Sequence, residues 1–459
     1  MALTSLVGRA SAIAELRTLI SSQRLVTLTG VGGSGKTRVA AEVALRTDAK
    51  EVVWIDLAGC ADPALVPNEI AAALSMRGPR FGDLPDAIAE AARDRDLLMI
   101  FDNCEHLVDA CATLARSLLV RCPLLRILAT SREPLAIPGE RVWPLPPIAV
   151  DDAVRLFADR ASAIEPGFVL TDDNRTPIAE VCRRLDLIPL AIELAAARIR
   201  VLTPGQIASR IEDRFEVLTG ARGGDPRHRT LRAAIDWSYA LLSAEEQRLL
   251  ARLSVFAGSF TLEAAEEACD ATLDAMTGLV DKSLVVVSQH RATARYHLLE
   301  TIRDYASERL VAAGEVDHVR RRHALAYLTI MRETPIDPMH SIMTRLEALD
   351  AEHDNVRAAL AWTLEHEPDA IALPITAAFR WYWYYRIQWS EGLQWTSRAL
   401  DRSSPARSRE RAATLSAAGT FAGYTGNVGD ARLWLEEAES LWRVLGDERE
   451  LALTLSALA

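Results

Sequence analysis

Lysine is nearly missing from this chain: Lys36, Lys50 and Lys282 are the only three among 52 basic residues. With alanine abundant, that bias fits a GC-rich coding sequence better than any structural demand, so a lysine inside a motif is hard to attribute to chance. Basic charge is in deficit as well. The 63 acidic residues leave a formal charge of −11, which argues against a surface built throughout to hold polyanions, because phosphate neutralisation needs a basic face. A local basic patch stays open. The six cysteines form no CxxC pair and no zinc-ligand grouping, so they are expected to be reduced core thiols. No apolar run approaches the ~18–20 residues of a membrane span. The N-terminus has no basic segment leading into a long apolar stretch. A cytoplasmic protein without a membrane partner is expected.

What remains is a chain of 459 residues, 49% hydrophobic and 25% charged, enough for several compact cores, roughly three on the usual domain length. One of the rare lysines lies in "TGVGGSGKT" (29–37). There Gly30, Gly35, Lys36 and Thr37 keep the spacing of a phosphate-binding loop. Glycines, here Gly30, Gly32, Gly33 and Gly35, let backbone N–H groups turn inward around phosphate oxygens; Lys36 adds a point charge and the Thr37 hydroxyl can hold Mg²⁺. Ser34 and Arg38 complete the set of expected nucleotide contacts.

From Leu25 to Pro146, short apolar runs ("LVTL", "EVVWIDL", "LLMIFD", "LRILATS", "RVWPL") alternate with helix-length segments, which predicts an α/β P-loop domain with a mostly parallel sheet flanked by helices. Past "PLPPIAV", helical periodicity without strands predicts helices at 151–163, 177–185, 190–200 and 203–218. The stretch "TGARGGDPRHRT" (219–230) reads as a linker. Helices near 231–242, 244–254, 262–269 and 271–280, two β-like runs at 284–288 and 295–299, and a helix at 300–313 suggest a winged helix. From about Val316 the pattern is helical throughout, with a repeat of roughly forty residues between "WSEGLQWTSRAL" and "GNVGDARLWLEEAESLW", as in stacked tetratricopeptide-like (TPR-like) hairpins forming an α-solenoid. The final "LALTLSALA" resembles the first helix of a further hairpin, its apolar face wanting a partner or a continuation of the chain. The expected division is therefore 1–148, 149–220, 221–314 and 315–459.

Further residues fall into order behind the loop. "LLMIFDNCEH" ends a buried strand in Asp102, a carboxylate placed to hold the Mg²⁺ water shell; the alternative is a cap for a helix beginning near His106. Asn103 stands where many motor ATPases carry a catalytic acid, and an amide takes no proton from water, so hydrolysis should be slow. Glu105 is a substitute base, although an acid there also suits a helix N-terminus. In "LRILATSRE", Arg132 can reach a γ-phosphate, or else pair with Glu133 or Glu140. Pro189 opens the helical run of "LDLIPLAIELAAAR", a position that suits proline.

Together "LVGR", "TGVGGSGKTRVA", "LLMIFDNCEHL", "ILATSREPL", "CRRLDLIPLAIELAAARI", "RHRTLRAAIDWSYALLS" and "LSVFAGSFTLEAA" resemble the signal-transduction ATPases with numerous domains (STAND), and more closely the NB-ARC-like modules of AfsR-type and large LuxR-type bacterial transcriptional regulators. The resemblance covers about residues 3–313. It implies a nucleotide-binding domain, a helical domain, a winged helix and a repeat sensor, with ADP locking the domains closed and ATP exchange opening them for signalling or oligomerisation. It puts Lys36 and Thr37 on phosphate and Mg²⁺, Asp102 at the acidic strand tip, Arg132 at the sensor position, and Gly8, Arg9 and Pro189 beside the base. Two departures matter. Leu187 stands where the family has glycine, and could crowd the adenine side. Leu299 occupies the place of the histidine that touches the ADP β-phosphate in relatives, leaving His297 or Arg229 as substitutes. The winged helix and the basic run Arg222, Arg227, His228, Arg229 and Arg232 raise DNA binding, but the family uses this unit as an internal clamp, so DNA is not an expected partner of this chain.

The reading is thus a regulatory ATP/ADP switch acting in transcriptional control, with a protein or small-molecule inducer at the repeats. Two alternatives are a turnover P-loop NTPase or kinase, and a scaffold whose loop has lost its nucleotide. The first lacks an NKxD guanine reader and an LSGGQ-like stretch, and the intact Lys36, Thr37 and Asp102 weigh against the second.

Overall fold

The computed structural model describes residues 6–60, 62–76, 84–218, 226–290, 293–333 and 342–459. Its first unit is a five-stranded sheet built from β1 (Leu25–Thr29), β2 (Glu51–Asp56), β3 (Leu97–Asp102), β4 (Arg126–Ser131) and β5 (Glu140–Pro144). All five strands foreseen from the apolar runs are present, every pairing is parallel, and the order is β2-β3-β4-β1-β5. The interior strand β3 is buried at every residue, which is why it reads as an unbroken apolar run rather than an alternation. Pro144, which cannot donate to a ladder, lies on the edge strand β5.

Side chains alternate across this sheet with the two-residue period of a strand. Val26, Leu28, Leu98, Ile100 and Leu128 join helices Ala10–Ser22 and Lys36–Leu45 in one core. Leu25, Leu97, Met99, Phe101 and Ile127 face the other way, into a core that continues without a break through the later helices to Trp442. The units after the sheet are therefore joined to it by apolar packing.

Helices Val150–Ile164, Asp172–Arg184, Pro189–Ala196 and Pro204–Leu218 follow. The second begins five residues before the expected Pro177, because Thr171 and Asn174 form a reciprocal capping box ahead of it. Most of the expected linker (residues 219–225), and with it the expected boundary at 220/221, lies outside the described residues.

A long helix, Pro226–Ala240, leads into the winged helix: helices Ala244–Leu253, Leu262–Cys269 and Leu273–Asp281, hairpin β6 (Val286–His290) and β7 (Thr293–His297), and helix Glu300–Ala313. The hairpin strands sit about two residues nearer their turn than the apolar runs suggested. Leu284 and Val285 are core residues before β6, and Leu298 is buried ahead of the helix. Burial, not strand pairing, explains those apolar letters.

The remainder is helical, from Val316–Glu333 to Glu448–Leu458. Helices Leu373–Tyr385, Trp389–Arg402, Arg409–Tyr424 and Val428–Leu445 form stacked hairpins. Hydroxyl pairs Thr376–Thr414 and Ser416–Thr454, each 38 residues apart in sequence and 2.9 Å in space, tie successive first helices together. A TPR-like α-solenoid completes the chain. All six cysteines are buried and unpaired. Among the described residues no helix is long and apolar enough to cross a membrane.

Candidate functional site

The strand order assembles the site. Because β4 lies between β1 and β3, the loop after β1, the acid ending β3 and the polar end of β4 meet at one edge of the sheet, the carboxyl-end crevice where open α/β sheets bind ligands. Gly35 starts helix Lys36–Leu45 with φ +92°, a left-handed conformation that glycine adopts without steric cost, and nothing lies within 4 Å of where a Cβ would stand. No side chain caps this ten-residue helix, so its first N–H groups are free to meet an anion.

Inside the loop, Lys36 Nζ donates to the carbonyls of Gly30 (2.9 Å) and Val31 (3.3 Å). Burial lowers its pKa, while Glu105, Glu300 and Asp102 act in the opposite direction. The Ser34 hydroxyl is buried with no hydrogen-bond partner among the described residues. A buried ammonium and an orphan hydroxyl inside a ring of backbone N–H groups are the donors a polyphosphate satisfies.

Thr37 Oγ1 donates to Asp102 Oδ1 at 3.0 Å, and Thr130 Oγ1 to the same oxygen at 2.5 Å. Asp102 is 2% exposed. Burial raises its pKa to about 6 against the pull of these two hydroxyls. A hydroxyl beside a carboxylate is the hard-oxygen pair Mg²⁺ takes, with the remaining positions left to water and phosphate. Asp102 does not cap a helix: a 3₁₀ turn, Cys104–His106, precedes helix Val108–Arg121, and Asn103, at φ +62°, donates its backbone N–H to Thr130. Thr130 escaped the sequence reading, although it stands two residues before Arg132, near the end of β4.

Arg132 makes neither of the ion pairs foreseen. Its Nε donates to Glu105 (3.0 Å) and its Nη2 to Asp304 (3.0 Å) on helix Glu300–Ala313, while Glu140 accepts from the backbone of Leu135 and Ala136 instead. Glu105 Oε2 is buried without a partner among the described residues. With its other oxygen on Arg132, Glu105 is held as a counter-ion.

The loop is also gripped from outside. Arg9, 4% exposed, donates to the carbonyls of Ser34 (2.8 Å) and Pro146; burial lowers its pKa to about 10. Gly8, at φ +72°, packs against Asp152, whose Cβ would be 2.5 Å from an added Cβ. Pro189 opens its helix at the first position, as expected. That places the next residue, Leu190, against Gly33, where the Leu190 N–H donates to the Gly33 carbonyl at 3.2 Å. Leu187 takes the glycine-like conformation of the position it fills, φ +55°, after Asp186 at +50°. Arg38 pairs with Glu193 at 3.7 Å, a contact to the helical segment.

On the far side Thr301 covers Gly32, its Oγ1 2.6 Å from where a Cβ would stand. Arg303 donates to the carbonyls of Ala257 (2.6 Å) and Ala58 (3.1 Å), joining the winged helix to the loop after β2. Glu300 lies close enough to act on Lys36, and burial, then Glu105, raises its pKa to about 7. Thr301, Arg303 and Asp304 carry no motif signal of their own. His297, half-buried in β7, is pushed below its ordinary pKa by burial. Of the basic run, the side chains of Arg222, Arg227, His228 and Arg229 lie outside the described residues, and Arg232 forms a two-point pair with Glu308 (2.9 and 2.6 Å).

Loop, acidic strand tip, covering helices and winged helix define a class: a P-loop NTPase-fold domain joined to a winged helix and a TPR-like solenoid. Comparison with known proteins agrees. Residues 17–135 match the AAA domain family and residues 242–311 the winged helix-turn-helix domain family. A Mycobacterium tuberculosis protein named as an HTH-type transcriptional regulator is 42% identical over 398 residues, 84% of this chain and 45% of its own length. An uncharacterised protein of the same organism is 42% identical over 335 residues, 70% of this chain and 85% of its own. The regulatory protein AfsR of Streptomyces coelicolor is 26% identical over 329 residues, 65% of this chain and 32% of its own. The chain belongs to the same family as the second of these relatives, which it matches at 42% identity over 85% of that protein's length. It spans about half the length of the first of these relatives.

Proposed function

We propose that this chain is an adenine-nucleotide switch for transcriptional control, in a closed state in which ADP with Mg²⁺ would be retained. One observation carries the reading: the phosphate loop is covered from two sides, by Leu190 at Gly33 and by Thr301 at Gly32. Exchange therefore requires the covering units to move. A ligand opens such an arrangement only through different affinities for its two states.

In this reading Lys36, the loop N–H groups and Ser34 hold phosphates, Thr37 and Asp102 hold Mg²⁺, and Gly8, Arg9 and Pro189 lie toward the base. Lobes divided near residues 148, 220 and 314 move relative to one another, and the repeats receive the inducer. Hydrolysis is slow, because Asn103 is no base and Glu105 is occupied by Arg132. The winged helix serves as the clamp. Its third helix, Leu273–Asp281, exposes Leu273, Asp274, Thr277 and Asp281, none of them basic, and Asp281 pairs with Arg200, whereas reading DNA calls for arginine or lysine on the helix itself. A cytoplasmic location and nucleotide-dependent oligomerisation belong to the same proposal.

Mass spectrometry of nucleotide released from gently purified protein tests it. ADP at near-stoichiometric amounts is expected from the wild type and none from Lys36→Ala. An empty wild type, or fast steady-state hydrolysis by the isolated chain, refutes it.

A further inference from the structure

We infer that Asp304 is a specificity-determining residue that sets the preference of the closed state for a nucleoside diphosphate over a triphosphate, by occupying the guanidinium a third phosphate would need. This rests on the nucleotide-switch reading above.

Two carboxylates from different parts of the chain hold Arg132. Glu105 comes from the turn after β3 and Asp304 from the second turn of helix Glu300–Ala313, each with an oxygen 3.0 Å from a guanidinium nitrogen. Glu300, four residues before Asp304, shares its helix face and lies within the electrostatic reach of both Lys36 and Arg132. The closed helix thus brings two acids to the mouth of a loop served by two cations, Lys36 within it and Arg132 after β4.

A diphosphate leaves this arrangement undisturbed, because Lys36 and the loop amides serve its phosphates and Arg132 stays with the acids. A third phosphate competes for Arg132, as a doubly charged, multidentate partner for a planar guanidinium. If it wins, Asp304 and Glu300 face a polyphosphate at short range with no cation between them, and like charges so placed repel. The triphosphate therefore binds with the helix displaced, and by linkage the closed helix lowers triphosphate affinity by the same factor. Asp304 is the member of the cluster to alter, since its side chain is 51% exposed and its replacement opens no core.

The test is titration of the full-length chain, stripped of nucleotide, with fluorescent ADP and ATP analogues in the presence of Mg²⁺. In Asp304→Asn the ATP-to-ADP affinity ratio is expected to rise about two- to fivefold, the range of a partly exposed ion pair, with ADP affinity unchanged. In an Arg132→Ala background the same substitution is expected to have a smaller effect, because only the direct repulsion between Asp304 and the third phosphate remains to be relieved. A ratio unmoved by Asp304→Asn, or moved equally without Arg132, overturns the inference alone. A wild type that binds neither analogue overturns the nucleotide reading beneath it.

Discussion

Arg357→Met probes the joint between the repeats and the nucleotide-binding unit. Arg357, on helix His353–His366, forms a two-point fork on Glu391, Nε to Oε1 at 2.7 Å and Nη2 to Oε2 at 2.6 Å, and pairs through Nη1 with Glu69 on helix Val66–Ala73 beside the sheet. Glu391 is 0% exposed. Burial by itself would raise its pKa, yet Arg357 and His353 more than offset that and hold it well below the usual carboxylate range. Methionine keeps most of the arginine stem, so packing changes little, but Glu391 is left with only His353 (3.0 Å) and the Trp395 indole (3.3 Å). Removing one partner of a buried pair costs about 3–5 kcal/mol, roughly 10² to 10⁴ in the folded-to-unfolded ratio of the repeats. Because the loss comes from carboxylates left uncompensated, Glu391 and Glu69, Arg357→Met with Glu391→Gln should recover the part that belongs to Glu391. Urea unfolding, followed through the buried repeat tryptophans Trp383, Trp395 and Trp442, measures both. A single variant within about 1 kcal/mol of wild type, or a double variant no better than the single, refutes the reasoning.

Two more outcomes follow from the same coordinates. Gly32→Ala sets a methyl against Thr301 Oγ1; overpacking of about 1–3 kcal/mol should speed release of bound ADP in a stopped-flow chase by about fivefold or more, and adding Thr301→Ala should restore the slow rate. His323 is buried, with burial pressing its pKa from 6.5 down to about 3. The unfolded chain therefore binds the extra proton, and the stability this residue confers is present above pH 6.5 and lost as pH falls toward 3. Between pH 7 and pH 5 the wild type should lose about 2 kcal/mol relative to His323→Phe, as read from urea midpoints; parallel pH profiles would contradict this.

How much was legible depended on how local the cause was. The five strands were readable because a buried parallel strand must be apolar along its length. The loop was readable because backbone geometry demands glycine at fixed spacing, with Lys36 and Thr37 at its end. The start of helix Asp172–Arg184 was not legible because its capping box carries Asn174 where the usual signature has Glu or Gln, and Pro177, a residue type that commonly opens helices, lies inside it. The hairpin register was missed because core burial and strand pairing select the same residues at Leu284 and Val285.

By itself, the sequence determined the fold class, the order of the units and the phosphate-binding loop, since each rests on residue type and spacing within a short segment. Tertiary structure alone decided who occupies whom at the site: that Thr130 shares Asp102 with Thr37, that Arg132 answers to Glu105 and Asp304, and that Thr301 lies on Gly32. Those pairings join positions 27 to 269 residues apart, and charge and size leave many partners open to a surface arginine until packing of the apolar core fixes which one lies within 3 Å.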